Sequence, residues 1–392
     1  MKILQIINAF YPSYTMGGAA VVAHYISKAL AKRGHEVTVY TTNALSRESL
    51  FSPRQNPNYN DGVEVHYFSN IVYEPSTHTY FSKELVEAVR KSIVKHDIVH
   101  LHEYRSYISL ITRYYSRKHD VPYVLQAHGQ LPRTIAKRRL KWIYDFFFGY
   151  RLLRDASKVI ALSQTEAQQY RAMSVPMEKI EVIPNGIDLS QYNNLPPKGS
   201  FRSKYCINEN EKIVLYLGRI HKIKGIDFLI KSFAYLVKSG IRDAKLVVAG
   251  PDDGYLNTAK ELVCRLEISN NVLFTGFLTE EAKISAFVDS MAVVYPSEYE
   301  PFGLVSLEAA VFSKPIIMAK GTPLSKVIER GRFGFSVRYG DVEALAKLLE
   351  FLMKNDALVS EMGTRGRKYV AANYCLEKVV DKLEKLYEAV GT

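Results

Sequence analysis

Short runs rich in β-branched and aromatic residues alternate with longer stretches of helical period through most of the 392 residues, and the alternation runs twice. In the first half "KILQIINAF", "EVTVYTT", "VEVHYFS", "DIVHLHEY", "VPYVLQAHG" and "KVIALS" read as strands, and stretches such as "AAVVAHYISKALAKRG" between them read as helices. Strands joined through helices lie parallel, with helices on both faces of the sheet. The rhythm breaks at "EVIPNGIDLSQYNNLPPKGS", whose prolines, asparagines and glycines mark a linker. It restarts at residue 212 with "KIVLYLGRI", "AKLVVAG", "NVLFTGFL", "AVVYPS" and "KPIIMAK" as strands. The expected architecture is α/β: two Rossmann-like domains, 1–190 and 191–374, facing a central cleft, with an amphipathic helix over 375–392. Ligands of open α/β sheets bind outside the carboxyl ends of the strands, so motifs at strand ends are expected to face that cleft.

Composition excludes several classes. Apolar residues make up 47% and charged residues 23%, a globular balance. Cys206, Cys264 and Cys375 are odd in number and far apart, which gives neither a metal spacing nor a disulfide framework and points to a reducing compartment. The opening "MKILQIINAFYPSY" lacks the small-residue cleavage site of a signal peptide, and no apolar run is long enough to span a bilayer. A cytoplasmic location is expected. The formal charge is +12, of which residues 1–195 carry +8. That excess suits phosphorylated ligands, an anionic surface or nucleic acid without choosing among them.

Five stretches carry chemistry. "AFYPSYTMGGAAVVAHYISKALAKRGHEV" places Gly17 and Gly18 between a strand and a helix, where a backbone can approach a ligand and first-turn amides favour anions. It lacks the G-x-G-x-x-G spacing, and a simple loop before a helix reads the same way. His128 in "QAHGQLPR" follows a strand and can meet a sugar hydroxyl, or be a satisfied strand-end histidine. "VHLHEY" puts His100 and His102 on one face if the strand extends that far. They read as polar groups at the cleft edge or in the interface, since no third metal ligand follows at a telling spacing. In "LYLGRIHKIKG", Arg219 ends a strand and Lys224 opens the next helix, bracketing a loop where a phosphate fits, or else making a solvated basic turn. In "SEYEPFGLVSLEAA", Glu300 lies on a loop and Glu308 in the first turns of a helix, with the amides around Phe302, Gly303 and Leu304 between them. A carboxylate on such a helix can accept both hydroxyls of a ribose. The bland alternative is one capping acid and one surface acid.

Taken together, "GGAA", "HG", "PNGID", "GRIHKIKG" and "SEYEPFGLVSLEAA" resemble the retaining glycosyltransferases of the GT-B fold, group 1 or family 4, over nearly the whole chain. The last is the family's E-x7-E element. The resemblance implies that the second domain binds a nucleotide-diphosphate sugar and the first an acceptor. Arg219 and Lys224 would hold the diphosphate and Glu308 the ribose. Glu300 and the amides of Phe302, Gly303 and Leu304 would hold sugar and phosphate. Gly17 and Gly18 would lie under the phosphates or acceptor, and His128 would contact the sugar. His128, Glu300, Arg219 and Lys224 are thus the candidate catalytic groups. No D-x-D is present, so no obligatory metal and no cofactor are expected. The expected reaction moves a hexosyl unit, from UDP on family frequency, to a hydroxyl of a glycan, a lipid-linked or a small-molecule acceptor. The C-terminal helix looks like the one that crosses back to the first domain in this fold.

Residues 133–154 hold seven basic residues against one acid, Asp145, with Trp142 and Phe146–Phe148 among them. Ile135, Trp142, Phe146, Tyr150 and Leu153 fall on one helical face, so the segment reads either as a peripheral contact with the inner face of an anionic membrane or as a core helix with a basic rim. Two rival functions stay in view. A nucleotide-sugar epimerase of the same fold would need acids and bases poised for proton transfer at the sugar. An RNA-binding protein would use the basic charge and 27 tyrosines, but these are dispersed and no RNP, KH or zinc pattern occurs, so no nucleic-acid partner is expected.

Overall fold

The alternation resolves into two mostly parallel sheets, each inside its own compact unit. The computed structural model describes residues 1–13, 17–45, 49–53, 55–70, 72–74, 79–133, 137–192 and 195–391. One unit comprises Met1–Gly186 with Leu376–Thr392, the other Ile187–Cys375.

In the first unit the strands lie in the spatial order Ile180–Val182, Lys158–Ala161, Tyr123–Gln126, Ile98–Leu101, Lys2–Ile6, Glu36–Thr42, Val63–Phe68, Asn58–Asn60. All neighbours are parallel except the last pair. Ile98–Leu101 and Tyr123–Gln126 are buried at every position, as strands covered by helices on both faces must be. The chain enters at Lys2–Ile6, builds outward on one side, then returns to build on the other from Ile98. The order therefore reverses between Lys2–Ile6 and Ile98–Leu101, the kind of point at which open α/β sheets bind ligands outside the carboxyl ends of their strands.

The second unit repeats the plan with six parallel strands in the order Val272–Gly276, Ala244–Ala249, Lys212–Leu217, Ser290–Tyr295, Ile316–Ala319, Gly334–Val337. Its reversal lies between Lys212–Leu217 and Ser290–Tyr295. Every position of Val272–Gly276, the edge strand, is half-buried.

The strands are shorter than the apolar runs suggest. "DIVHLHEY" pairs only over Ile98–Leu101, "VPYVLQAHG" over Tyr123–Gln126 and "KIVLYLGRI" over Lys212–Leu217. Pairing stops where the chain turns away, which puts His102, His128 and Arg219 in loops at the carboxyl ends. Ile180–Val182 and Gly334–Val337 are further strands, too short for alternation to declare them.

The last helix, Leu376–Gly391, belongs to the first unit. It buries Leu376, Val379, Val380, Leu383, Leu386 and Tyr387, each contributing about 1.5–3 kcal/mol of transfer free energy. On its rim Arg33 reaches Asp381 at 2.6 Å, Glu384 at 2.5 Å and the Glu377 carbonyl at 2.9 Å. Gly186 admits this helix: a Cβ there would lie 2.8 Å from the Leu376 Cα.

In the aromatic segment the structure goes against the core-helix alternative. Arg138–Tyr144 is α-helical, Asp145–Gly149 is a π turn and Tyr150–Asp155 is α-helical again. Asp145, Gly149, Leu152 and Leu153 face the interior, whereas Trp142, Phe146 and Tyr150 are exposed. Only Leu153 of the predicted apolar face points inward; Ile135 lies outside the described residues. The cause is Asp145. Fully buried, it accepts from Arg105 Nε (2.9 Å) and Nη2 (2.7 Å), Arg133 Nε (2.6 Å) and the Tyr104 hydroxyl (3.0 Å). One carboxylate so fully satisfied sets which face of the helix turns inward, and the rings go out.

Candidate functional site

The second unit gathers its predicted residues at the sheet reversal. Strand Lys212–Leu217 delivers Arg219, and strand Ser290–Tyr295 delivers the loop with Glu300. Lys224 follows in the short turn Lys222–Lys224, and Gly225 begins the helix Ile226–Lys238. Gly225 has φ +70°, and a Cβ there would run into the Pro296 carbonyl, so this approach of the two loops needs glycine. Lys224 Nζ lies 2.6 Å from Glu300 Oε2 and 3.3 Å from the Tyr295 hydroxyl. The Lys224 and Glu300 side chains are only 11% and 9% exposed. Tyr295 stacks on Tyr216, with ring centroids 6.2 Å apart. The Tyr216 hydroxyl donates to the Arg219 carbonyl at 2.9 Å. Burial first, and the Glu300 carboxylate next, push the Tyr295 phenol well above its ordinary pKa, so it stays a donor.

Arg219 Nη1 meets Asp253 Oδ2 at 2.5 Å, with 42% of its side chain exposed. The two cations that the sequence presents as a bare pair are therefore each held by an acid, Arg219 by Asp253 and Lys224 by Glu300. Such partners fix cations in place before a ligand arrives.

The helix Leu304–Val311 begins at Gly303, whose left-handed φ of +92° few other residues adopt, and no side chain caps it. The Ser306 amide is taken by the Gly303 carbonyl at 2.9 Å. The amides before it are the orphan donors of a helix start. The Ser306 hydroxyl in this turn is fully buried and has no partner among the described residues. A Cβ on Gly303 would sit 3.4 Å from Glu300 Cγ, so the Lys224–Glu300 pair abuts the helix start. Phe302 buries its ring against Tyr374 at 6.2 Å, leaving the backbone as its polar group.

Glu308, one turn into the helix, has other company. Its Oε1 lies 2.9 Å from Lys283 Nζ and accepts from the Tyr192 hydroxyl at 3.5 Å. Lys283 also meets Glu280 at 2.9 Å. Burial opposes the Lys283 charge, but Glu308 and Glu280 outweigh it and hold its pKa above the ordinary lysine range. Lys283, Tyr192, Tyr295 and Asp253 were not anticipated, because each reaches the site from an element with no motif of its own.

In the first unit, Gly17 (φ +120°) precedes the helix Gly18–Lys32, which also lacks a side-chain cap. His128 takes a left-handed φ of +49°. Its Nε2 lies 3.0 Å from His102 Nδ1, and His102 Nε2 lies 3.0 Å from Gln5 Oε1. A glutamine carbonyl only accepts, so His102 donates from Nε2 and accepts at Nδ1, and His128 donates from Nε2. Its Nδ1 is then an acceptor. Burial lowers the His128 pKa to about 3, so the ring is neutral. His100 and His102 stack with ring centroids 3.9 Å apart, and the His100 Nδ1 lies 2.7 Å from the Tyr387 hydroxyl of the last helix. Next to His128, the Gly129 amide donates to buried Glu166 at 2.7 Å, as does Leu162. Burial raises the Glu166 pKa to about 7 against those two bonds. Among the described residues, no three His, Cys, Asp or Glu side chains are grouped to hold a metal ion, which leaves the His100–His102 pair without a third ligand.

Comparison with known proteins places these motifs. Residues 198–369 match the family model described as glycosyl transferases group 1, and residues 16–191 match that of glycosyltransferase family 4. Together they span most of both units. N-acetyl-alpha-D-glucosaminyl L-malate synthase of Bacillus anthracis is 29% identical over 96% of this chain and 94% of its own. Alpha-monoglucosyldiacylglycerol synthase of Streptococcus pneumoniae is 28% identical over 90% of this chain and 78% of its own. The crystal structure of Anabaena HepE in complex with UDP and glucose superposes with a TM-score of 0.80 at 20% identity, covering 99% of this chain and 100% of that one.

Proposed function

Since the chain belongs to the group 1 glycosyltransferases of the GT-B fold, we propose that it moves a hexosyl unit from a nucleotide-diphosphate sugar, UDP by preference, to an acceptor hydroxyl with retention of configuration. The acceptor is a glycan, a lipid-linked or a small-molecule hydroxyl, and no metal is obligatory. The observation that carries this reading is the buried Lys224–Glu300 pair beside the uncapped helix start at Gly303, at the point where the strand order reverses. Cations and orphan amides converging there suit a diphosphate.

In this reading the second unit takes the donor. Arg219 and Lys224 hold the diphosphate, the Phe302, Gly303 and Leu304 amides bind phosphate and sugar oxygens, and Glu300 accepts from sugar hydroxyls. Glu308, steadied by Lys283 and Tyr192, accepts from the ribose hydroxyls. As the anomeric C–O bond breaks, its electron pair goes to the diphosphate, and Arg219, Lys224 and the amides stabilise that charge in place of a divalent cation. The acceptor oxygen bonds to the anomeric carbon on the same face, and its proton passes to the departing phosphate oxygen. The first unit takes the acceptor, with Gly17 and Gly18 giving close backbone approach and His128 receiving a sugar hydroxyl at Nδ1. UDP is preferred because HepE is described with UDP and with UDP-glucose.

Thermal shift and calorimetry with UDP, GDP, ADP and their sugar conjugates, in EDTA, test this directly. UDP and a UDP-sugar should stabilise the protein. A response to GDP or ADP alone would overturn the base, a response only with added Mg²⁺ or Mn²⁺ would overturn metal independence, and silence towards all three would sink the donor site.

A further inference from the structure

The outward face of residues 137–155 is the largest feature that this chemistry leaves unused. Leu140, Trp142, Ile143, Phe146, Phe147 and Phe148 are between 46% and 63% exposed, a contiguous apolar surface of a kind that folded chains seldom leave to water. Nothing in the local fold requires it. The interior contact is made by Asp145, Gly149, Leu152 and Leu153, and a Cβ on Gly149 would collide with the Tyr104 hydroxyl. The π turn Asp145–Gly149 keeps three consecutive phenylalanines on the outer side while both its ends point in.

The charges around the rings are of one sign. Lys137, Arg138, Arg139 and Arg151 are exposed and make no ion pair with a described acid. Three of them crowd the N-terminal end of the helix Arg138–Tyr144, where the helix dipole disfavours cations. The two acids of the segment are engaged elsewhere: Asp145 by Arg105 and Arg133, and Asp155 by Arg113 at 2.5 Å.

We propose that this face seats the protein on an anionic lipid bilayer, the aromatic and aliphatic side chains entering the headgroup boundary and the cations pairing with lipid phosphates. A second copy of the chain is a poor occupant, since two such faces would bring their unpaired cations together. Single-stranded RNA fits less well because the rings pack on one another. Trp142 and Phe146 stack at 5.5 Å with planes 13° apart, and Phe146 meets Phe147 edge-on at 5.1 Å, with aliphatic Leu140 and Ile143 alongside. The consequence for the acceptor, that it is a membrane-borne hydroxyl, rests on the transferase reading; the bilayer contact itself does not.

Trp142 is the sole tryptophan, so it reports on this face. The full-length protein is mixed with phosphatidylcholine vesicles with or without phosphatidylglycerol, and sedimentation and Trp142 emission are followed. Binding with a blue-shifted emission is expected on the anionic vesicles only. Phe146→Ala with Phe147→Ala should weaken partitioning by roughly tenfold, and each of Arg138→Gln and Arg139→Gln by roughly fivefold. UDP-dependent thermal stabilisation, measured in parallel, should stay the same in all of them, which separates this surface from the donor site. If the wild type stays in the supernatant, or the phenylalanine variant sediments like the wild type, the proposal fails. A concentration-dependent dimer broken by the same variant, or RNA binding through this face, without vesicle binding would also overturn it.

Discussion

The two units end their central strands in different chemistry. In the first, the reversal is lined by His102, His128, Gln5, Asn8 and Glu103, whose carboxyl accepts from the Asn8 amide at 3.5 Å; burial keeps the histidines neutral and raises the Glu103 pKa. In the second, it is lined by ion pairs, Lys224 with Glu300 and Arg219 with Asp253, beside the uncapped helix start. One sheet plan therefore carries two kinds of strand-end surface. In the proposed reading, buried histidines and amides with no paired cation suit sugar hydroxyls, and fixed cations beside a helix start suit phosphates. Nine of the ten histidines precede residue 130, so the contrast is already in the composition.

Four perturbations would break or sharpen it. Lys224→Met strands Glu300 in a nearly closed site and should cost about 3–5 kcal/mol of stability as well as turnover, read by urea unfolding. Arg219→Ala removes a more exposed cation. It should lower kcat by roughly 10²–10³-fold and, because it takes this cation from an Asp253 side chain that is only 6% exposed, also lower the unfolding midpoint, though less than Lys224→Met; near-normal turnover would end its assignment to the diphosphate. Glu308→Ala should weaken UDP binding by roughly 10–100-fold in calorimetry, with Lys283 still paired to Glu280; unchanged affinity would remove the ribose role. The fourth perturbation is pH. His100 and His102 are fully buried, and burial first, then neighbouring histidines, lowers their pKa values, to about 3 for His100. A lowered folded pKa gives stability that is complete above the ordinary value of 6.5 and is lost as pH falls below it. Trp142 fluorescence, which reports on the first unit, should show denaturant stability falling below that pH by about 1.4 kcal/mol per pH unit for each ring. A flat profile down to pH 5 would contradict the neutral-histidine account.

Much of this was legible in advance because a parallel sheet writes itself as repeated apolar runs, and functional loops follow those runs at their carboxyl ends. Arg219, Lys224, Glu300, Gly303 and Glu308 could be named from their position after a strand or at a helix start. Their partners could not. Lys283 and Tyr192 meet Glu308 from 25 and 116 residues away, and Asp253 meets Arg219 from 34. Which way the aromatic segment faces stayed open for a related reason. Periodicity groups apolar side chains on one face without saying whether that face turns inward, and Asp145, with four donors around it, turned the rings out.

What the sequence determined by itself is the alternation of strand and helix, the two-unit plan and the identity of the strand-end groups, since these depend on local period and turn chemistry. The tertiary structure alone decided which acid neutralises which cation, which tautomer His128 takes and which side of residues 137–155 faces water. Those outcomes depend on groups far apart in the chain competing for the same buried donors and acceptors, and no local pattern records that competition.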